Sequence, residues 1–246
     1  MTDIKINIAS KTYPAIGQAG YHTAIADFNL ALKSGEFICL VGPSGCGKTT
    51  LLNIIADLDN DYEGGILVGR QQAHPKIGYI FQNPRLLPWR TVRENIELVL
   101  DSGQSPALID PLLEVMQLTG SQHVYPERLS LGMSRRVSII RAFAVDPDIL
   151  LMDEPFVSLD APTARQVREL LLKLWQQRPH TVLFVTHDLR EAIALADRLV
   201  FLSAAPMTVI SEITVPIPRA KRHNEQAVEA FRQQLINDYP AIKQLL

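Results

Sequence analysis

Two cysteines in 246 residues are too few for a disulfide framework. Cys39 and Cys46 also lack a partner at a familiar metal-ligand spacing, so both read as free thiols. Neither charge sign is in excess: 24 Lys and Arg stand against 26 Asp and Glu, a net charge of -2. That balance argues against a chain whose main task is to coat nucleic acid. No apolar run reaches the roughly 20 residues that a bilayer crossing needs. The most apolar stretch, Ala192 to Ile210, is broken by Asp197, Arg198 and Pro206. The opening segment MTDIKINIASKTY has no apolar signal core, which predicts a cytosolic chain. Internal repeats, low-complexity segments and long linkers are missing too. What remains, 47% hydrophobic and 20% charged residues, is a globular composition of a length suited to one domain with a subdomain.

Apolar runs of strand length recur at Phe37–Val41, Ile77–Phe81, Ile149–Met152, Val182–Thr186 and Leu199–Leu202. Continuous apolar runs suit strands covered on both faces of a parallel sheet. Helical periodicity lies between them, in Leu51, Ile54, Ile55 and Leu58 and again in Val167, Leu170, Leu171 and Leu174. The alternation predicts an α/β layer fold. The first third differs: Ile4–Ile8, Ala24–Leu32 and Ile66–Val68 read as short strands of an antiparallel sheet. Residues 91–145 read mainly as helix, with breaks at Ser102–Pro106 and Tyr125–Pro126, a helical insertion in the α/β core. Beyond Pro216–Pro218 come a basic cluster, Arg219 to Arg222, and an amphipathic helix with Val228, Phe231, Leu235 and Ile236 on one face.

Gly42-Pro43-Ser44-Gly45-Cys46-Gly47-Lys48-Thr49-Thr50 satisfies the phosphate-loop pattern in full. Glycines let successive backbone N–H groups turn inward around an anion, and the following helix start adds a positive dipole. Lys48 would reach the β- and γ-phosphates, and the Thr49 hydroxyl would ligate Mg²⁺. The loop follows a buried strand and precedes a periodic helix, so the sequence predicts nucleoside triphosphate binding. A second strand, Asp148 to Met152, ends in Asp153 and Glu154. Asp153 suits Mg²⁺ coordination, and the next carboxylate would polarise an attacking water. Gln82 and His187 follow two further strands, and ligands of open α/β sheets sit at such carboxyl ends. Taken singly, each also fits a capping or loop role.

With these motifs in this order, the chain resembles the ATP-binding subunit of an ABC transporter over residues 4 to about 215. The glycine-rich loop is similar to Walker A, and Asp153-Glu154 to the end of the Walker B strand. Gln82 matches the Q-loop, Ser158-Leu159-Asp160 the D-loop and His187 the switch histidine. The resemblance implies a P-loop NTPase with a RecA-like α/β core, an antiparallel β-subdomain and a helical subdomain at about 84–145. Residues 1–246 would form one ATPase domain with a tail from about 216. It further implies a head-to-tail dimer with two ATP molecules at the interface, each using one subunit's Walker motifs and the other's signature loop. Glu154 would be the general base, His187 would contact the γ-phosphate, and Gln82 would link Mg²⁺ and water to the membrane subunit. Tyr13 or Tyr21 would stack on adenine, with a core or loop tyrosine as the other reading.

The signature Leu-Ser-Gly-Gly-Gln appears here as Leu129-Ser130-Leu131-Gly132-Met133. Ser130 and Gly132, which the family aims at the partner's γ-phosphate, remain. Leu131 departs from the pattern; it would crowd the nucleotide if glycine were needed for close approach or positive φ, or it turns harmlessly into the helical subdomain. The segment Gln82 to Ile96 and the stretch Val215 to Arg219 are similar to importer subunits for nitrate, alkanesulfonates, taurine and thiamine precursors. Leu86, Leu87 and Trp89 read either as an apolar partner surface or as helical-subdomain core. The implied complex contains integral-membrane permease subunits, a second copy of this chain and an extracytoplasmic solute-binding protein, with no nucleic acid. Its place would be the cytoplasmic face of the inner membrane. Two alternatives compete: a soluble ABC-type ATPase outside transport, and a subunit that binds ATP but hydrolyses it weakly because of Leu131.

Overall fold

A computed structural model describes residues 3–14, 20–69, 71–72 and 75–243. It divides into two compact units, Met1–Pro75 with Thr181–Leu246, and Lys76–His180. Strand β1 (Ile4–Tyr13) alternates: Ile4, Ile6 and Ile8 are buried while Lys5 and Asn7 face out, the period of a sheet with one wet face. It pairs antiparallel with β2 (His22–Leu32), with Ile8 opposite Phe28. Next, β3 (Phe37–Val41) is buried at every position, and α1 (Lys48–Ile55) follows the phosphate loop. Then β4 (Glu63–Val68) and β5 (Gln71–Gln72) complete an antiparallel sheet in the order β2-β1-β4-β5. Gly64 is obligatory in β4, because a Cβ there would lie 2.2 Å from the Asn7 carbonyl oxygen.

The expected antiparallel sheet is present, but β1 runs five residues past the expected end at Ile8, to Tyr13. The inward position beyond Ile8 is taken by Lys11, only 2% exposed and paired with Asp59 at 2.8 Å. A buried ion pair there replaces the apolar residue that would have marked the strand.

The second unit opens with β6 (Ile77–Ile80), which runs parallel to β7 (Ile149–Asp153). Between them lie α2 (Val92–Glu97), α3 (Ile109–Val115) and α4 (Leu131–Ala144), joined through short 3₁₀ turns. Thr91 and Glu94 form a reciprocal capping box at the start of α2. A Cβ on Gly78 would lie 2.4 Å from the Ala142 carbonyl, so glycine lets α4 rest directly on β6. Helix α5 (Ala161–Gln177) closes the unit, burying Val167, Leu170, Leu171 and Leu174 on one face.

The chain then returns to the first unit with β8 (Thr181–Thr186), α6 (Leu189–Leu195), β9 (Arg198–Leu202) and β10 (Val209–Thr214). Strand β3 pairs in parallel with both β8 and β9, and β10 lies antiparallel outside β9. Helices α7 (Glu225–Asp238) and α8 (Pro240–Lys243) form the tail, whose last three residues lie outside the described ones. Val228, Phe231 and Leu235 are buried beneath α7. The basic cluster ahead of it is not a solvated patch. Arg222 is buried and donates to the Ala196 carbonyl at 2.7 Å and the Ile217 carbonyl at 2.8 Å, satisfying the end of α6. Hydrogen bonds from a charged donor contribute about 1.5–3 kcal/mol. At roughly 2–4 °C per kcal/mol for a chain of this size, Arg222→Met is expected to lower the thermal midpoint by about 3–12 °C. Circular dichroism melts check this, and an unchanged midpoint would show that the clasp contributes nothing. Among the described residues no helix is long and apolar enough to cross a membrane.

Candidate functional site

In the first unit, the buried strand β3 delivers the chain into the phosphate loop at Gly42. Gly45 (φ 76°) and Gly47 (φ 113°) adopt left-handed backbone, which glycine enters without a Cβ penalty. Gly47 stands at the N-cap of α1, where no side chain caps the helix. The first turn of α1 therefore offers its N–H groups and positive dipole to an anion. Lys48 is buried, and its Nζ donates to the Gly42 and Pro43 carbonyls at 2.8 Å each, which holds the ammonium inside the arc. Uncapped N–H groups, left-handed glycines and a buried ammonium make a donor-rich cradle, so the residues present fit a polyphosphate. Burial pushes the Cys46 thiol above its usual range against the opposing pull of Lys48, and burial raises Cys39 strongly. Both are free, buried, protonated packing groups, as the sequence suggests.

Two more expected residues lie in this unit. The Tyr13 hydroxyl is 3.1 Å from Thr50 Oγ1 on α1, and its ring carries the Lys11 ammonium 4.8 Å from the centroid. Tyr21 stands 80% exposed. Val41 and Thr186 are register partners, so Gly42 and His187 leave neighbouring parallel strands at the same end. His187 is exposed in the bend between β8 and α6. That bend is held from below: Thr186 Oγ1 accepts from the Asp188 amide at 3.1 Å and donates to Glu191 Oε2 at 2.9 Å. Asp188 in turn caps α6 by accepting from the Arg190 amide at 2.8 Å.

In the second unit, Ile80 and Met152 are register partners, which brings the segments after β6 and β7 side by side. Gln82 Nε2 donates to Glu154 Oε2 at 3.3 Å. Asp153 is 5% exposed at the strand end, whereas Glu154 is half-buried. Glu154 takes φ 43°, a left-handed conformation that costs a non-glycine residue about 1–2 kcal/mol. Burial, and next the Asp153 charge, push the neighbouring Tyr79 hydroxyl well above its usual range, so it stays a neutral donor. Among the described residues no three His, Cys, Asp or Glu side chains cluster to hold a metal alone. A hard cation here would use Asp153 and one or two hydroxyl or amide oxygens, with substrate phosphates filling its shell.

Asp160 caps α5 by accepting from the Thr163 amide at 3.1 Å, and its hydrogen bonds to Thr163 hold the carboxyl below the usual range. Ser130 caps α4 by accepting from the Met133 amide at 3.2 Å. A Cβ on Gly132 would lie 2.6 Å from Thr163 Cγ2, so the signature glycine serves close packing of α4 on α5. Leu131 is the first residue of α4 and is 43% exposed. It needs no positive φ and is not folded into the core, which leaves approach of the nucleotide as the only crowding argument. Trp89 is 69% exposed, so it belongs to the surface and not to the core of its unit.

The sequence reading passed over Arg135, Arg141 and Asn95. Buried Asn95 pins the segment after Gln82, accepting from the Leu87 amide at 2.8 Å and donating to the Leu87, Arg90 and Thr91 carbonyls. Arg141 donates to the Pro84 and Arg85 carbonyls. Arg135 is 1% exposed. Its phase with Gly132, Ile139 and Ala142 on the buried stripe of α4 was the available signal, hidden within a polar run, Ser134-Arg135-Arg136.

The ABC transporter family model matches residues 25–157. The aliphatic sulfonates import ATP-binding protein SsuB of Bacillus cereus is 42% identical over 243 residues, covering 96% of this chain and 95% of that protein. The nitrate import ATP-binding protein NrtD of Synechococcus elongatus is 39% identical, covering 92% of this chain and 85% of its own. Among solved structures, dimeric MJ0796, a bacterial ABC transporter cassette, superposes with a TM-score of 0.76 at 32% identity, over 87% of this chain and all of its own. The same cassette bound to ADP and phosphate gives 0.73. With the phosphate loop, the acidic strand end and the P-loop NTPase fold all in place, the chain belongs to the ABC transporter ATP-binding family and is an ATP-binding, ATP-hydrolysing cassette.

Proposed function

We propose that this cassette drives import of a small anion of the sulfonate or nitrate class through separate membrane subunits. The observation that carries the reading is similarity along nearly the whole chain to import ATP-binding proteins for those two solutes. The taurine and thiamine-precursor importers belong to the same resemblance. Residues 1–246 act as one cassette, peripheral to the cytoplasmic face of the inner membrane. It pairs with a second copy of itself, and the similarity to a dimeric cassette supports that pairing. Permease subunits carry the bilayer crossing, and an extracytoplasmic solute-binding protein supplies the solute. Exposed Trp89, in the segment after Gln82, is the apolar surface offered to the permease.

ATP lies along Gly42, Pro43, Ser44, Gly45, Cys46, Gly47, Lys48, Thr49 and Thr50, with Tyr13 at the adenine. Lys48 and the start of α1 neutralise the phosphates. Thr49, Asp153 and Gln82 would hold Mg²⁺, and the ion would supply positive charge beside the phosphate oxygens. Glu154 accepts the proton of the attacking water, and Gln82 orients that carboxylate. His187 contacts the γ-phosphate. Ser130, Gly132 and Asp160 serve the site of the partner subunit. ATP closes the pair, hydrolysis reopens it, and the permease follows.

Leu131 presents an isobutyl group where the partner's phosphate approaches. Leu131→Gly is therefore expected to raise the assembled transporter's ATPase rate severalfold, measured by phosphate release. An unchanged rate would mean that Leu131 is harmless.

The reading is tested by purifying the chain from native membranes and assaying ATPase in the recovered complex with alkanesulfonate, taurine and nitrate. A multi-span chain in equal amount, with stimulation by one solute, is the expected result. Recovery with ribosomes or DNA would instead support the non-transport ATPase.

A further inference from the structure

Arg135 is one of the largest fully buried side chains in the protein, and its partners are main-chain carbonyls. Nη1 donates to Phe81 O at 3.0 Å and also to Gln82 O, while Nη2 reaches Val157 O at 3.5 Å. Among the described residues Nε has no hydrogen-bond partner. Burial lowers the guanidinium's affinity for its proton without removing its charge. A buried cation with no carboxylate and an orphaned N–H is a poor way to stabilise a fold, since an apolar side chain of similar volume often serves as well or better. What the guanidinium fork does uniquely is span several acceptors in fixed directions.

Those acceptors are not random. Phe81 and Gln82 form the segment whose amide side chain meets Glu154, and Val157 belongs to the turn that leaves Glu154 and closes with its amide on the Glu154 carbonyl at 3.2 Å. Arg135 sits on α4, whose first turn is capped by Ser130. Arg141, further along the same helix, holds Pro84 and Arg85. We propose that Arg135 is a positioning residue that locks the Gln82 main chain and the turn after Glu154 to the signature helix. Ser130, Gln82 and Glu154 then move as one body. This rests on the roles given above to Gln82 and Glu154.

The test uses the full chain with Arg135→Met and Arg135→Lys, reading kcat and KM for Mg-ATP, thermal midpoint, and amide exchange by segment. Arg135→Met is expected to keep its thermal midpoint and a KM within about threefold, to lose tenfold or more in kcat, and to exchange faster at 82–86 and 155–159. Arg135→Lys, a point charge without the fork, is expected to recover only part of each loss. Unchanged exchange in both segments overturns the proposal, and so does wild-type kcat in Arg135→Met where Gln82→Ala or Glu154→Gln lowers kcat. If Arg135→Met does not fold, Arg135→Lys decides by the same two readouts. Exchange is independent of catalysis. Faster exchange with unchanged kcat, where Gln82→Ala and Glu154→Gln also leave kcat unchanged, would sink the catalytic roles and leave the lock standing.

Discussion

Glu154→Gln is expected to slow ATP hydrolysis by about 10²–10⁴-fold while leaving Mg-ATP affinity nearly unchanged, and to accumulate an ATP-bound dimer. The substitution is close to isosteric. The amide oxygen still accepts from Gln82 Nε2, now 3.3 Å from the carboxylate, and the φ 43° backbone is no more strained for glutamine than for glutamate. What disappears is the carboxylate proposed to take the proton from water. Binding is assigned to the phosphate loop, so it is expected to survive. Phosphate release gives the rate, and size-exclusion chromatography with and without Mg-ATP gives the assembly. Wild-type turnover would remove Glu154 from the role of base, and a monomer at saturating Mg-ATP would count against the ATP-closed dimer.

Lys48→Ala acts at the other end of the reaction and is expected to weaken ATP binding by roughly 30- to 4,000-fold, about 2–5 kcal/mol. Lys48 is 6% exposed, so the proposed contact with phosphate would be made away from water, where truncation of one charged partner is most costly. It also holds the Gly42 and Pro43 carbonyls at 2.8 Å each, and without it two acceptors point into the cradle meant for an anion. Titration with a fluorescent ATP analogue measures the loss, and a dissociation constant within threefold of wild type would refute it. Lys48→Arg is expected to fail as well, because a planar guanidinium does not fit the arc that a tetrahedral ammonium fills.

The α/β architecture was legible because β3 and the stretches Ile149–Met152 of β7 and Val182–Val185 of β8 are continuously apolar, and all three strands are buried throughout. The phosphate loop was legible because its chemistry is local: glycines, a lysine and a helix start lie within one short segment. The rest depends on partners distant in sequence. Lys11 does not reveal from its neighbours that Asp59 and Asp61 await it, so β1 reads too short. Arg219 and Arg222 look like surface charge, yet both donate to the Leu195 carbonyl at the end of α6. Arg135 looks like part of a polar run and is 1% exposed. In each case the burial of a cation is decided by tertiary acceptors that hydropathy does not report. Leu131 shows the converse: its oddity is visible in sequence, and its helical, exposed placement is not.

The first unit is assembled from both ends of the chain, whereas the second is a single continuous stretch. Strand β3 has neighbours on both sides only after β8 and β9 exist, and the hydrogen bond from the Gly35 amide to Thr181 Oγ1 spans 146 positions. During synthesis, Lys76–His180 has therefore emerged in full while the phosphate loop still hangs on an unpaired apolar strand. That strand waits for the last quarter of the chain to leave the ribosome. A stalled or truncated product would expose Phe37–Val41 as a naked β-edge, the kind of segment that chaperones bind and that aggregates when they do not.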